Sequence, residues 1–63
     1  MGNAEWLVTA VTYIMGKWRV ELDNGQQSRS SYNKPPYKVG DRIVSFWHFD
    51  NYMNNIDNER RLT

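Results

Sequence analysis

Basic and aromatic side chains alternate through the middle of this 63-residue chain, a combination that can recognise single-stranded nucleic acid. In such binding, bases stack on aromatic rings, which contributes ~1–3 kcal/mol per base, while Lys and Arg follow the phosphate backbone. The alternative is that Lys17 and Arg19 only solvate the outer face of a strand while the tyrosines pack beneath a loop. The predicted contact residues are Lys17, Arg19, Arg29, Tyr32, Lys34, Tyr37 and Lys38.

The charge distribution permits contact with phosphates without demanding it. Eight Lys and Arg stand against seven Asp and Glu, so the formal net charge is +1. Residues 16–48 carry six basic and three acidic side chains, a local +3, whereas residues 49–63 carry a local −1. This is well below the basic footprint typical of dedicated nucleic-acid-binding domains, so recognition of a protein stays open.

Trp47 and Tyr52 are the candidates for a protein interface. Trp and Tyr dominate binding energy at many interfaces, and with nine aromatic residues in so short a chain we expect some at the surface. The expected partner is therefore single-stranded nucleic acid, with RNA as the leading candidate. The alternative is a protein complex that the chain serves as an accessory or phage-like regulator. The sequence leaves the oligomeric state open.

No arrangement typical of catalysis is visible in the sequence. His48 is the one histidine, and because it is flanked by Trp47 and Phe49 we expect it to have a wall or core role rather than a catalytic one. Asp23 and Asp41 are interpreted as turn residues, since Asp favours turns by bonding its own backbone. Without cysteine or clustered ligands, the sequence predicts a non-enzymatic protein with no metal site and no cofactor.

Length and composition predict a single small domain over residues 1–63, with residues 50–63 as a tail that is irregular or holds a short helix or strand. A domain of this size buries only about 60% of the surface of its unfolded chain, so large aromatic side chains are first a means of building a core. The apolar run around Leu7 and Val8 is too short to cross a bilayer, and the first residues do not resemble a signal peptide. We therefore expect a cytoplasmic protein without a membrane partner.

Two segments in the first third of the chain predict strands. Residues 6–15 are rich in β-branched and aromatic side chains, which favour a pleated, half-buried surface. After Gly16 the chain alternates between polar and apolar residues, as a half-buried strand does. This alternation predicts that Trp18, Val20 and Leu22 point into the core.

Turn residues divide the rest of the chain. Asn24-Gly25 predicts a two-residue hairpin turn and a short, exposed return strand within an antiparallel hairpin over residues 17–32, because both positions of a type I′ turn need positive φ. Pro35-Pro36 predicts a loop, since proline cannot donate to a ladder. Residues 42–49 predict a further strand, central or facing a partner, because both of its faces carry bulky side chains.

The C-terminal segment is open to two interpretations. Residues 59–62 favour a short last strand after an asparagine-rich loop. Tyr52, Met53 and Ile56 lie at helical spacing, which favours a single turn of helix docked on the strands.

These strands and turns predict an all-β fold, a small five-stranded barrel that is OB-like or, alternatively, SH3-like. The run Arg19-Val20-Glu21-Leu22-Asp23-Asn24-Gly25, followed by Gly40-Asp41-Arg42-Ile43, resembles bacterial translation initiation factor one and its OB-fold relatives. The resemblance covers residues 7–47 and departs from the family at the serine-rich residues 28–31. It implies an OB barrel with a surface for RNA.

Overall fold

A computed structural model describes residues 5–59 as one sheet with one α-helix and a short 3₁₀ helix at Asp23–Gly25. The elements are β1 (Trp6–Ile14), β2 (Lys17–Leu22), β3 (Gln27–Ser31), β4 (Arg42–Ile43) and α1 (Phe46–Glu59). The strands form a curled antiparallel sheet, a half-barrel in the order β3-β2-β1-β4. The helix packs against the inner face of this sheet.

The β-rich, barrel-like prediction is confirmed, but the prediction of five strands is wrong. The described part of the chain has four strands and a helix. The error lies in residues 42–49, for which the sequence predicts a single strand that is central or faces a partner. Only Arg42–Ile43 is extended, and it pairs with β1 at an edge of the sheet. The helix begins at Phe46.

A helix forms here because it places four large apolar residues on one side. Phe46, Phe49, Met53 and Ile56 recur at intervals of three or four, and the last three are buried. The helical interpretation of the C-terminal segment is thus confirmed, although the helix has 14 residues rather than one turn. A strand at residues 59–62 is wrong for Glu59, which ends α1, and residues 60–62 lie outside the described part of the chain.

Burial changes along β1 and β2, whose inner faces meet in three cross-strand pairs. In the first pair, Val8 and Leu22, both side chains are fully buried. In the second, Val20 is fully buried and Val11 is half-buried. The third pair joins Trp18, which is half-buried, to the exposed Tyr13. The prediction that all three inward residues of β2 lie in the core therefore holds for two of them and not for Trp18.

A β-bulge at Thr9 explains why Val8 and Val11 share a face although they are three residues apart. The pairing of β1 with β2 shifts between Val8 and Ala10, which leaves Thr9 as the extra residue. The Thr9 Oγ1 atom accepts a hydrogen bond of 2.8 Å from the Asn24 N–H and lies 3.4 Å from the Glu21 carbonyl oxygen, to which it donates. The bulge thereby ties β1 to the loop after β2.

The two hairpins have turns of different length. Ile14 pairs with Lys17, so Met15-Gly16 is a two-residue turn, and both its residues have positive φ. The predicted antiparallel hairpin of β2 and β3 is present, but a four-residue connection over residues 23–26 joins its strands. The two-residue turn predicted at Asn24-Gly25 is therefore wrong, because Leu22 pairs with Gln27 and not with a closer residue.

Polar contacts fix α1 alongside β3. At its start, the His48 N–H lies 3.4 Å from the Ser45 Oγ atom, as in a helix N-cap. Near its end, the Asn33 side-chain amide donates to the Ile56 carbonyl, and the Tyr32 N–H donates to Asp57 at 3.1 Å. None of the helical segments described has the length and hydrophobicity that crossing a bilayer requires.

Candidate nucleic-acid interface

Two lysines and three aromatic residues lie together at the end of the sheet that carries the Met15-Gly16 turn. Three of them, one tyrosine and both lysines, belong to the predicted contact residues, and the other two are the cross-strand pair beyond the buried core. We call this group the tip surface: Tyr13, Lys17, Trp18, Tyr32 and Lys34.

On the outer face of the sheet, Lys17 lies over Tyr32. The ammonium nitrogen is 4.6 Å from the centre of the tyrosine ring, within the range of a cation–π contact. Tyr32 follows directly after β3, and Lys17 opens β2, so strand pairing brings the two together. The Tyr32 backbone is held by Asp57 of α1, which places one carboxylate at the border of the tip surface.

On the inner face, Lys34 lies near a pair of aromatic rings. Its ammonium nitrogen is 5.6 Å from the centre of the Trp18 ring. Trp18 in turn packs against Tyr13, with ring centres 4.9 Å apart and an angle of 52° between the planes. The Tyr13 side chain is 58% exposed, so one member of this pair is accessible to a ligand.

Two predicted contact residues, Arg19 and Arg29, are engaged in contacts within the protein. Arg19 lies on the outer face, 3.5 Å from the Glu21 carboxylate and 3.4 Å from the Ser28 hydroxyl. Arg29 lies on the inner face, where its Nε donates to Asp50 of α1 at 2.6 Å. The Arg29 guanidinium also lies 5.0 Å from the centre of the Phe46 ring, so this residue joins sheet to helix.

The remaining predicted contacts, Tyr37 and Lys38, lie away from the tip surface. Tyr37 packs on the core, with its ring 5.2 Å from Phe49 and 6.0 Å from Tyr52. Burial, with a smaller contribution from the neighbouring Tyr52, raises the pKa of Tyr37 above its ordinary value. Lys38 is exposed in the turn before β4, where its N–H donates to Asp41 at 2.9 Å. That hydrogen bond fits the interpretation of Asp41 as a turn residue.

The two candidates for a protein interface lie on α1. Trp47 is 69% exposed, and its ring contacts His48 at 5.1 Å between centres. Tyr52 is partly exposed and covers Tyr37. His48 is itself exposed, so of the two roles expected for this residue, wall or core, the core role is wrong. It lines only a shallow depression of about 180 Å³ beside Val44 and Phe49.

A depression of about 310 Å³ also lies among the described residues, but it does not coincide with the tip surface. Its lining includes Glu5 and Arg42, whose side chains form an ion pair at 3.2 Å. Asp23 also lines it, and its carboxylate accepts a hydrogen bond of 2.9 Å from the Leu7 N–H. Among the side chains that the structure describes, in residues 5–57, no three His, Asp or Glu converge as metal ligands would.

Sequence reasoning misses Tyr13 and Trp18 as surface residues. It recognises their types, but it assigns Trp18 to the core and Tyr13 only to a strand. The signal that could find them is the turn: a two-residue connection at Met15-Gly16 places residues 13 and 18 directly opposite each other. Because Tyr13 and Trp18 lie next to the hairpin turn, we expect them to extend beyond the core of so small a domain.

No protein-family model, curated protein or solved structure matches this chain.

Proposed function

We propose that this chain is a non-enzymatic binding module that holds single-stranded nucleic acid on the tip surface, with RNA as the leading candidate ligand. We also propose that it acts in the cytoplasm. The observation that carries this proposal is the pairing of Lys17 with Tyr32 and of Lys34 with Trp18, one pair on each face of the same sheet end. Aromatic rings offer bases a stacking surface, and ammonium groups beside them offer phosphates a charge.

The electrostatics of the tip surface support a phosphate ligand of modest affinity. Neither lysine of this group has a salt bridge among the described residues, whereas Arg19, Arg29 and Arg42 each have one. An ammonium over a ring face keeps donors available for a phosphate, because the ring attracts the cation without occupying its N–H groups. With two such cations and a net charge of +1, we expect weak binding that salt disrupts.

The relation to the initiation factor one family and the choice between OB-like and SH3-like topology stay predictions. A curled four-stranded sheet is consistent with either small barrel, and the helix α1 occupies the position in the chain where a last strand was expected. The proposed function depends on the tip surface and not on this choice.

A salt titration tests the proposal. Affinity for a single-stranded oligonucleotide, measured by fluorescence anisotropy from low to moderate salt, should fall linearly on a log–log plot. The double variant Lys17→Gln/Lys34→Gln should lower the slope by about 1.4, because each phosphate that a lysine neutralises on a single strand contributes ~0.7 to it.

The matched control is Lys38→Gln/Arg42→Gln, which removes the same number of charges from exposed positions outside the tip surface. This control should keep the wild-type slope. Equal losses in the two double variants would mean that net charge alone drives binding, and an absence of binding by the folded wild-type protein at low salt would exclude the proposal.

A second candidate is protein binding through α1, which the exposure of Trp47 favours. A tryptophan that is 69% exposed on a helix is a frequent anchor of protein interfaces. Trp47→Ala should then abolish capture of the partner while leaving nucleic-acid binding unchanged, since this residue is not part of the tip surface.

A further inference from the structure

The edge of β1 that faces away from β2 is paired along only part of its length. At Val8 two backbone hydrogen bonds of 2.9 Å join this edge to Gly40 and Asp41, which directly precede β4. From residue 10 to residue 14, no strand within the described chain pairs with this edge. A free edge presents backbone donors and acceptors that can pair with another strand.

This free edge lacks most of the features that prevent the edge strands of natural proteins from pairing with other chains. Edge strands are commonly protected by charged side chains or proline, and residues 6–16 contain neither. The bulge at Thr9 lies only at the start of the free segment. Tyr13 and Ile14 are exposed there, and the neighbouring Met15 is 96% exposed.

We infer that β1 pairs antiparallel with β1 of a second copy of this chain, through residues 10–14 and about a two-fold axis at Thr12. This register sets Ala10 opposite Ile14, Val11 opposite Tyr13, and Thr12 opposite its own copy. Aromatic residues opposite β-branched ones, and threonines opposite each other, are stabilising cross-strand pairs.

Charge favours a second copy over a different strand. A partner strand rich in acidic or basic residues would meet no opposite charge along residues 6–16, whereas a copy of this uncharged edge brings no like charges into contact. A two-fold arrangement also uses the same surface on both copies and therefore closes as a dimer.

Gly40 marks where the turn of the second copy would meet this chain. In this register, each Met15-Gly16 turn reaches the turn at Val39-Gly40 of its partner. A side chain added at Gly40 would meet nothing within 4 Å, so the space beside it is open. Met15 and Val39 are both exposed and apolar, and they would cover each other.

The pairing is small and shares only Tyr13 with the tip surface. Five residues per strand give an interface at the lower end of the specific range, so we expect a weak dimer whose population rises with concentration. Lys17, Tyr32 and Lys34 lie on β2 or after β3, across the sheet from this edge, and stay available in the dimer.

Sedimentation equilibrium of the full chain over a wide concentration range tests the inference. The wild-type mass should rise from 7.5 kDa toward twice that value. Thr12→Lys should weaken the dimer at least tenfold, because two lysines would then stand opposite each other. The matched control is Ser30→Lys: Thr12 and Ser30 are both exposed and both pair with Arg19, one on each side.

A charge-swap mixture makes the test specific for the register. Equal amounts of Thr12→Lys and Thr12→Glu should regain the dimer that Thr12→Lys alone does not form. In the wild-type protein, amide hydrogen exchange of Val11 and Tyr13, whose backbone groups face the free edge, should slow as concentration rises, which needs no variant. A wild-type chain that stays monomeric at millimolar concentration, an equal effect of Ser30→Lys, or a mixture that fails to regain the dimer would each overturn the inference.

Discussion

The two ends of the β1–β2 hairpin are built from the same strands, yet they differ in what covers them. At one end, α1 lies over Val8, Val20 and Leu22, which are fully buried. At the other, the same inner face carries Tyr13 and Trp18, which α1 leaves partly uncovered. The comparison teaches that aromatic residues in a small domain serve folding where a second layer reaches them and stay available for ligands where it does not.

The largest expected effect contrasts one aromatic residue from each end. Phe49→Ala should cost ~3–5 kcal/mol, because the ring is 1% exposed and its removal leaves a cavity. Trp18→Ala should cost only about 2 kcal/mol, since this ring is half-buried and packs mainly against Tyr13. Urea denaturation gives both values.

Equal losses for the two variants would erase the distinction between the ends. Phe49→Leu is the matched control, because it keeps an apolar side chain in the core and should lose less than Phe49→Ala. Since the whole stability of 63 residues is about 3–9 kcal/mol, the Phe49→Ala chain should be close to unfolding at room temperature.

The helix that makes the two ends different was the least predictable element. Residues 42–49 include Ile43, Val44, Phe46 and Trp47, whose types favour strands, so local propensity pointed away from a helix. The spacing of Phe49, Met53 and Ile56 favours a helix instead. This spacing becomes decisive only when Phe46 is included as a fourth apolar position and Ser45 is recognised as the N-cap. Tertiary packing outweighed the preference of single residues.

The strands were more predictable than the site. Alternation in β2 located Val20 and Leu22 in the core, because a strand with one polar face has only one face to bury. It could not show where α1 stops covering that face, so Trp18 was misplaced. The sequence identified Lys17, Tyr32 and Lys34 by type, but only strand pairing brings them beside Trp18, and only the fold shows that Arg29 is engaged with Asp50.

A smaller loss of stability is expected when the ion pair that holds α1 over the covered end is broken. Arg29→Gln should cost about 1 kcal/mol, because the ion pair with Asp50 is short but both side chains are about a third exposed, and water screens the attraction. A double-mutant cycle with Asp50→Asn should show that much of this loss is shared. Strictly additive losses would mean that the two residues act separately.

The bulge at Thr9 should make a comparable or smaller contribution. Thr9→Val keeps the shape of the side chain but removes the acceptor for the Asn24 N–H, and it should cost about 1 kcal/mol. Thr12→Val makes the same change at an exposed position of β1 and should alter stability by less than about 0.5 kcal/mol. A loss for Thr12→Val as large as that for Thr9→Val would contradict the role given to the bulge.

The smallest effect should be a pH dependence at the covered end. Because the pKa of Tyr37 is raised in the folded protein, the unfolded chain releases this proton first as the pH rises. The stability contributed by the neutral ring is therefore fully present below the ordinary pKa of 10.0 and is lost as the pH rises through the folded value. Melting curves of Tyr37→Phe should show a shallower loss in this window, and identical curves would contradict the assignment.

The most direct test of the division between the two ends is a chemical-shift map of the ¹⁵N-labelled chain titrated with a single-stranded RNA oligonucleotide at low salt. We expect the amide signals of residues 13–18 and 31–34 to move together and those of residues 44–52 to stay in place. Shifts concentrated around Trp47, or no shifts while the fold stays intact, would contradict the account, because the tip surface would then not be the binding end of the molecule.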